Sequence, residues 1–255
     1  MVTTDYRLEP HTSIPYHTGV AIPVFSLRSA QSFGVGDFSD LKSFADFAAK
    51  SGMDLIQILP INDTTTFMDW RDSYPYRAIS VFALHPIYFD MAAVRDVLTA
   101  AEKVDFDAQQ KTLNALDAID YEAVLAAKWH YIKIGYEKRS KTVFASMAFL
   151  DFFAKNRNWL EPYAAFCYLR DLNQTADFSQ WGEFAKFSKD KLKKLSTSGL
   201  NLHYFVQFLL HEQLKSASDY AHTLGVGLKG DIAIGIAHDS ADAWSDESLY
   251  HMDKQ

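Results

Sequence analysis

Apolar positions along the chain fall into two short continuous runs near its start, a long stretch of helical spacing, and a third run near its end. Gly19-Val20-Ala21-Ile22-Pro23-Val24-Phe25 is almost unbroken in apolar side chains, as expected of a strand covered on both faces. Leu55-Ile56-Gln57-Ile58-Leu59 is too short for an ordinary helix and is closed by Pro60, so it reads as a second buried strand. Between them Phe33-Gly34-Val35-Gly36-Asp37-Phe38 turns the chain, and Asp37 or Ser39 is placed to cap a helix. That helix carries Leu41, Phe44, Phe47 and Ala48 on one face and stops before Gly52. Strand, helix and strand in this order predict a βαβ unit with parallel strands.

From Met91 to Tyr220 the spacing is helical, with helices predicted near 91–100, 119–138, 143–155, 159–171, 181–196 and 200–224. Segment 101–118 is polar, with Asp105, Asp107 and Asp117, and reads as a connector or a short helix. Asp177-Phe178-Ser179-Gln180-Trp181 reads as a further connector. The lysines at 186, 189, 191, 193 and 194 read as a solvated helix face. Gly227–Ile236 is the third strand candidate. It is followed by a polar loop over 237–244 and a short helical turn from Ser245. Residues 1–18 read as a linker or edge segment, 19–90 as the βαβ part with its loop, 91–225 as a helical insertion, and 226–255 as the third strand and its loop. Three strands do not close a barrel of eight, so the pattern is a sheet begun and not finished.

Composition narrows the class. The chain has 255 residues, 48% hydrophobic, enough for one sizeable core. A net charge of -7 without a long basic tract argues against a nucleic-acid partner. Cys167 is the single cysteine and lies in an apolar helix beside Phe166 and Tyr168, so it reads as core, with no internal disulfide. The start lacks the signal-peptide pattern, and no run approaches the roughly 18 apolar residues of a membrane helix. A soluble, cytoplasmic protein without a membrane partner is expected.

Two strand ends carry polar clusters: Asn62, Asp63, Trp70, Arg71, Asp72, Tyr74 and Tyr76 after the second strand, and Asp231, His238, Asp239, Asp242 and Trp244 around the third. In a parallel sheet both lie at the edge where loops build a site. Aromatic faces beside hydrogen-bonding groups suit a sugar ring, although a surface loop with packed aromatics has the same composition. Asp231 falls inside an apolar run, so it needs partners, either an internal ion pair or a substrate hydroxyl. His238, Asp239 and Asp242 match no strong metal spacing, and neither metal nor cofactor is expected. No Gly-x-Ser-x-Gly elbow exists, and Gly34-Val35-Gly36 is too short for a dinucleotide fingerprint. Paired-carboxylate glycoside chemistry is the best class, with the pair itself not nameable from composition.

Five ordered blocks carry a more specific signal. They are Phe25-Ser26-Leu27-Arg28-Ser29 with Phe33-Gly34-Val35-Gly36-Asp37-Phe38; Gln57-Ile58-Leu59-Pro60-Ile61-Asn62-Asp63-Thr64; Trp70-Arg71-Asp72-Ser73-Tyr74-Pro75-Tyr76; Ser80-Val81-Phe82-Ala83-Leu84-His85-Pro86; and Lys229-Gly230-Asp231-Ile232-Ala233-Ile234-Gly235 with Asp239-Ser240-Ala241-Asp242-Ala243-Trp244. From about Gly19 onward the chain resembles the 4-alpha-glucanotransferases of glycoside hydrolase family 77, the amylomaltases or disproportionating enzymes, nearest their cytosolic plant-type branch.

The resemblance implies an α/β fold, a partial (β/α)8 TIM barrel with a large helical insertion between its second and third strands. It implies retaining transfer of α-1,4-glucan segments between maltodextrins or glycogen- and starch-like glucans. Tyr76 matches the tyrosine lining the subsite of the cleaved glucose, and Asp231 the aspartate supporting that subsite. Asn62, Asp63, Trp70, Asp72, Tyr74 and His238 are expected to bind substrate, and Asp242 and Trp244, in the loop beyond, to be structural or subsite-forming. Tyr74 stands where many members have serine, which favours a polymeric or branched donor; Ala233 stands where proline is common. The family nucleophile, in an Arg-Ile-Asp-His-like block, and the later acid/base glutamate have no counterpart here. The chain is therefore expected to be an amino-terminal piece of a catalytic domain, inactive alone and prone to self-association. A non-catalytic α-glucan-binding protein and a hydrolase of another carbohydrate are the competing readings.

Overall fold

A computed structural model describes residues 16–250. Three parallel strands lie in the order β1-β2-β3: β1 (Gly19–Ile22), β2 (Leu55–Ile58) and β3 (Gly227–Lys229). Gly19 pairs with Leu55, and Leu55 with Gly227, so the three strands start level. A side chain at Gly19 would collide with the Leu55 carbonyl, which fixes the close approach there. Helix α1 (Phe38–Lys50) joins β1 to β2. Its start is a reciprocal capping box between Asp37 and Asp40, and Gly52, at φ 75°, lets the chain reverse into β2. Phe38, Leu41, Ala45 and Ala48 form the buried face of α1. Phe47, expected in that face, is 54% exposed and stacks on Phe44 instead.

The insertion runs through α2 (Ala92–Arg95), α3 (Ala100–Asn114), α4 (Tyr121–Phe144), α5 (Met147–Asn173), α6 (Lys189–Leu192) and α7 (Thr197–Thr223). Helix α7 packs against both α1 and α5, so the insertion shares one core with the sheet. This is a partial (β/α)8-type arrangement with a large helical insertion. After β3 come α8 (Ala241–Ser245) and a 3-10 turn.

Several elements differ from expectation. The helices predicted at 143–155 and 159–171 are one helix, α5, which continues through the buried Pro162 and ends at Gln174 in the left-handed conformation. The polar connector 101–118 contains α3, started by a Thr99–Glu102 capping box; its Asp105 accepts from Tyr131 and its Asp107 pairs with Arg95. The helix predicted over 181–196 reduces to 3-10 turns and α6, because Gly182 takes φ 57° and breaks the run. The third strand stops at Lys229, not Ile236. Its neighbour β2 ends one residue beyond the Gln57–Lys229 pair and then meets Pro60, which cannot donate to a ladder. Asp231 consequently lies outside the strand and is half-buried, and Ile234 is 96% exposed.

Lys128, His85 and His203 are buried basic groups of the core. Lys128 of α4 is fully buried; its Nζ donates to the carbonyls of Ile87 (2.7 Å) and Phe89 (2.8 Å) and lies 3.9 Å from Asp37. Burial raises the Asp37 carboxyl to about 6, against the pull of Lys128. His85 accepts from the Ile87 N–H through Nδ1, so its Nε2 donates to the Tyr121 hydroxyl at 2.9 Å. His203 of α7 is buried against Trp129 and Tyr163.

Burial lowers His203 from 6.5 to about 4. The unfolded chain therefore takes up this proton first as pH falls, and the stability that neutral His203 contributes above pH 6.5 is lost between about 6.5 and 4. His203→Phe removes this titration. Between pH 7 and pH 5 the wild type should lose about 2 kcal/mol more than the variant. Urea midpoints of both proteins at the two pH values measure the difference.

Candidate active site

The loop leaving β2 is folded on itself before it meets anything else. Its ends are joined by the Asn62–Leu84 bridge, and the Asn62 side-chain amide donates to the Val81 carbonyl at 2.8 Å. Asp63, 1% exposed, sits at this neck. Its N–H donates to Ala83 O (2.8 Å), its carbonyl accepts from Ile79 N (2.7 Å), and Oδ1 accepts from Thr65 N (2.9 Å). Asp72 is also buried. Its carboxylate gathers the N–H groups of Thr66 (3.0 Å), Phe67 (2.9 Å) and Met68 (2.6 Å). Burial raises its pKa, and these three donors oppose the rise. They also hold Met68 at φ 61°, an uncommon conformation for a side-chain-bearing residue. Asp69 caps the 3-10 turn Trp70–Ser73 and pairs with Arg71. The guanidinium groups of Arg71 and Arg77 lie 3.9 and 4.9 Å from the Phe67 ring centre.

This loop and the segment after β3 are stitched together. Ala78 bridges Ile236, Ala237 N donates to Ala78 O (2.8 Å), Ala241 N donates to Ile79 O (2.9 Å), and Val81 N donates to Asp242 Oδ2 (2.7 Å). The outcome is one contact between residues far apart in sequence. The Tyr76 hydroxyl donates to Asp231 Oδ2 at 2.8 Å. That bond, then desolvation, raises the Tyr76 pKa. Among the described residues Asp231 Oδ1 accepts only from Ile232 N, at 2.9 Å, which leaves lone pairs on both oxygens. Tyr74 is exposed, its ring centre 5.7 Å from that of Tyr76.

The remaining sequence candidates divide by exposure. Trp70 is exposed and lines a mainly apolar cavity of about 270 Å³ with Asn62, Asp72, Pro75 and Tyr121. His238 is exposed, bonds Asp239 at 2.8 Å and lies parallel to the Phe178 ring. Asp239 with Arg71, Asp171 and Asp177 lines a more polar cavity of about 380 Å³. Trp244 is 2% exposed, its indole N–H donating to Phe184 O at 2.9 Å between the rings of Trp181 and Phe187. Trp244 and Asp63 are thus both enclosed, each with its polar group engaged inside the protein. Asp72 is engaged by the loop backbone. Asp242 is half-buried and raised by burial. Cys167 is buried and its thiol is pushed up by burial.

The sequence reading missed the side chains that reach this loop from the insertion: Tyr163 and Arg170 of α5 and Gln207 of α7. Arg170 carried a legible signal, since a cation among Phe166, Cys167 and Leu169 on a core helix requires a buried partner. Among the described residues no cluster of three or more His, Cys, Asp or Glu is arranged to hold a metal, and no helix is long and apolar enough to cross a membrane.

The 4-alpha-glucanotransferase DPE2 of Oryza sativa subsp. japonica is 44% identical over 240 residues, covering 92% of this chain and 25% of its own length. The 4-alpha-glucanotransferase of Chlamydia muridarum is 30% identical over 237 residues, covering 90% of this chain and 43% of the relative. The chain thus spans between a quarter and under half of these relatives. The fold is that of the amylomaltase from Streptococcus agalactiae, solved in complex with acarbose (TM-score 0.77, 21% identity, 92% of this chain and 46% of that one). It is likewise that of the Corynebacterium glutamicum amylomaltase (TM-score 0.71, 23% identity, 89% and 32%). Residues 22–255 match the profile of glycoside hydrolase family 77, described as 4-alpha-glucanotransferase, and the chain belongs to that family.

Proposed function

We propose that this chain supplies the glucan-gripping face of a 4-alpha-glucanotransferase, an enzyme that moves α-1,4-glucan segments between maltodextrins or larger glucans in the cytoplasm. The observation that carries this reading is the Tyr76–Asp231 hydrogen bond, formed at the edge where both strand-end loops meet. In a protein of this family, the Tyr76 ring packs on a glucose face while the free lone pairs of Asp231 accept from sugar hydroxyls. Exposed Tyr74 and Trp70 extend the aromatic surface along the loop, and His238 borders it from the other segment. Retaining transfer further needs a nucleophile to hold the glucosyl unit and an acid/base to protonate the leaving oxygen and activate the acceptor. The residues above bind and orient; Asp63 and Asp72 are engaged internally and serve neither step.

Incubating the purified chain with maltotriose and separating the sugars should show no redistribution. Longer and shorter maltodextrins appearing in proportion to protein would place a catalytic pair among the carboxylates present. The chain should still bind maltoheptaose, and Tyr76→Phe should weaken that binding about threefold to tenfold by calorimetry, the effect of one hydrogen bond. Equal affinity of the two proteins would remove the Tyr76 hydroxyl from the site. Asp231→Asn takes away the carboxylate that raises the Tyr76 phenol. The ionisation of Tyr76 should then move down toward the ordinary tyrosine range, read from the pH titration of ring-labelled tyrosine resonances.

A further inference from the structure

Loops above a sheet commonly owe their shape to their own turns. Here the neck of the Tyr76 loop, besides its own turns, is held by the helical insertion. The Tyr163 hydroxyl, on α5, donates to Asp63 Oδ2 at 2.6 Å. Two turns further along the same helix, Arg170 Nη1 donates to both the carbonyl (2.5 Å) and the hydroxyl (2.7 Å) of Thr65. From α7, the Gln207 side chain closes a two-point bond with the Leu84 backbone, accepting from its N–H (2.8 Å) and donating to its carbonyl (2.7 Å), and also reaches the Tyr163 hydroxyl at 3.2 Å. Asp63, Thr65, Tyr163, Arg170 and Gln207 are all buried.

We propose that Tyr163 and Arg170, with Gln207, are positioning residues that set the placement of the Tyr76–Asp231 pair, so that the insertion acts as a rigid frame for the site. The proposal rests on the functional reading above for its glucan consequence alone. The route is continuous. Tyr163 fixes the Asp63 carboxylate, Asp63 O fixes Ile79 N, and Ile79 O fixes Ala241 N in the segment that carries Asp231. Apolar contacts of equal area would anchor the loop without setting its register, because they have no direction. Hydrogen bonds to a buried carboxylate and a buried guanidinium do, since each misaligned partner leaves a polar group uncompensated. Burial, and with it the Asp63 charge, keeps the Tyr163 phenol protonated well above the ordinary range, so the donor is constant with pH.

The test separates positioning from general stability. Tyr163→Phe removes the hydroxyl that meets Asp63. Tyr131→Phe removes a hydroxyl that meets Asp105 at 2.6 Å within the insertion and touches nothing in the loop. Thr65→Val removes the hydroxyl half of the two-point Arg170 contact from the loop side and serves if Tyr163→Phe does not fold. Amide hydrogen exchange of Asp63 and Ile79 is measured in each 255-residue variant and compared with α5 amides. Exchange at Asp63 and Ile79 should rise about tenfold or more over the α5 amides in Tyr163→Phe and Thr65→Val, and not in Tyr131→Phe. Equal acceleration in loop and helix, or in all variants alike, overturns the frame. Maltoheptaose affinities of Tyr163→Phe, Tyr76→Phe and the double variant should couple, with the second change costing less than about twofold after the first. Full additivity overturns the link to Tyr76. If the wild-type chain fails to bind maltoheptaose, the glucan reading falls, and the exchange comparison still decides the frame.

Discussion

Burying a carboxylate at the end of β2 sets the conditions for the rest of this structure. Asp63 lies five residues beyond Ile58, the end of a strand whose Ile56 and Ile58 are closed to water, and a carboxylate there is tolerated only with its lone pairs engaged. One oxygen takes a backbone donor from its own loop, and the other needs a donor from elsewhere, which Tyr163 of α5 provides. The requirement therefore draws a helix lying 100 residues away in sequence onto the strand end. Arg170, one face of the same helix further on, meets the Thr65 carbonyl under the same constraint. The loop is compact because its polar groups had to be satisfied, and its position is defined because the satisfying groups sit on helices.

The same logic operates on the other side of the core. Lys128, with no exposure at all, brings α4 to the start of α1 through Asp37 and to the carbonyls of Ile87 and Phe89. Asp37 caps α1 as well, so a single carboxylate serves the helix start and the buried ammonium. These polar ties are what make the insertion part of the sheet's core rather than an appended module. They are costly singly, and removing one member leaves the other buried without compensation.

What the sequence made legible follows from how each feature is encoded. Strand β2 and helix α1 were readable because glycine, proline and a capping aspartate bound short apolar runs; β1 was readable in position alone, since it stops at Ile22 before a 3-10 turn and, at the edge of the three strands, alternates exposed and half-buried residues instead of being covered on both faces. The extent of β3 was not, since Val226-Gly227-Leu228 and Ile232-Ala233-Ile234 look alike as strings while only the first has a neighbour to pair with. The gap expected over 156–158 is absent, because packing on α7 holds one helix from Met147 to Asn173, through Pro162. At the site, Tyr76 and Asp231 were legible as matches to a family and as strand-end residues. The turning inward of Asp63, Asp72 and Trp244 was not, because an acid or an indole in a loop has the same letter whether it faces solvent or the core. A weak signal existed for Asp63, where the following run of threonines favours a side-chain-to-backbone turn, and that bond to Thr65 N is present.

The division of labour among the carboxylates bears on the proposed glucan chemistry. A neutral polymer gains little from net charge, and this chain at -7 offers it no counter-charge. Recognition must rest on aromatic faces and on acceptors whose lone pairs are free. Asp63 and Asp72 have spent theirs on backbone groups and on Tyr163. Asp242 is tied to Val81 N and lies half-covered. Asp231 is different: one bond to Tyr76 and one to its neighbouring N–H orient it without filling it. Orientation by partners that leave an acceptor open is what a hydroxyl-binding carboxylate requires, because its entropy is removed before the ligand arrives. The acids that look interchangeable in the sequence thus separate physically: Asp63 and Asp72 build the loop, while Asp231, beside Tyr76, keeps acceptors open for the proposed sugar contact.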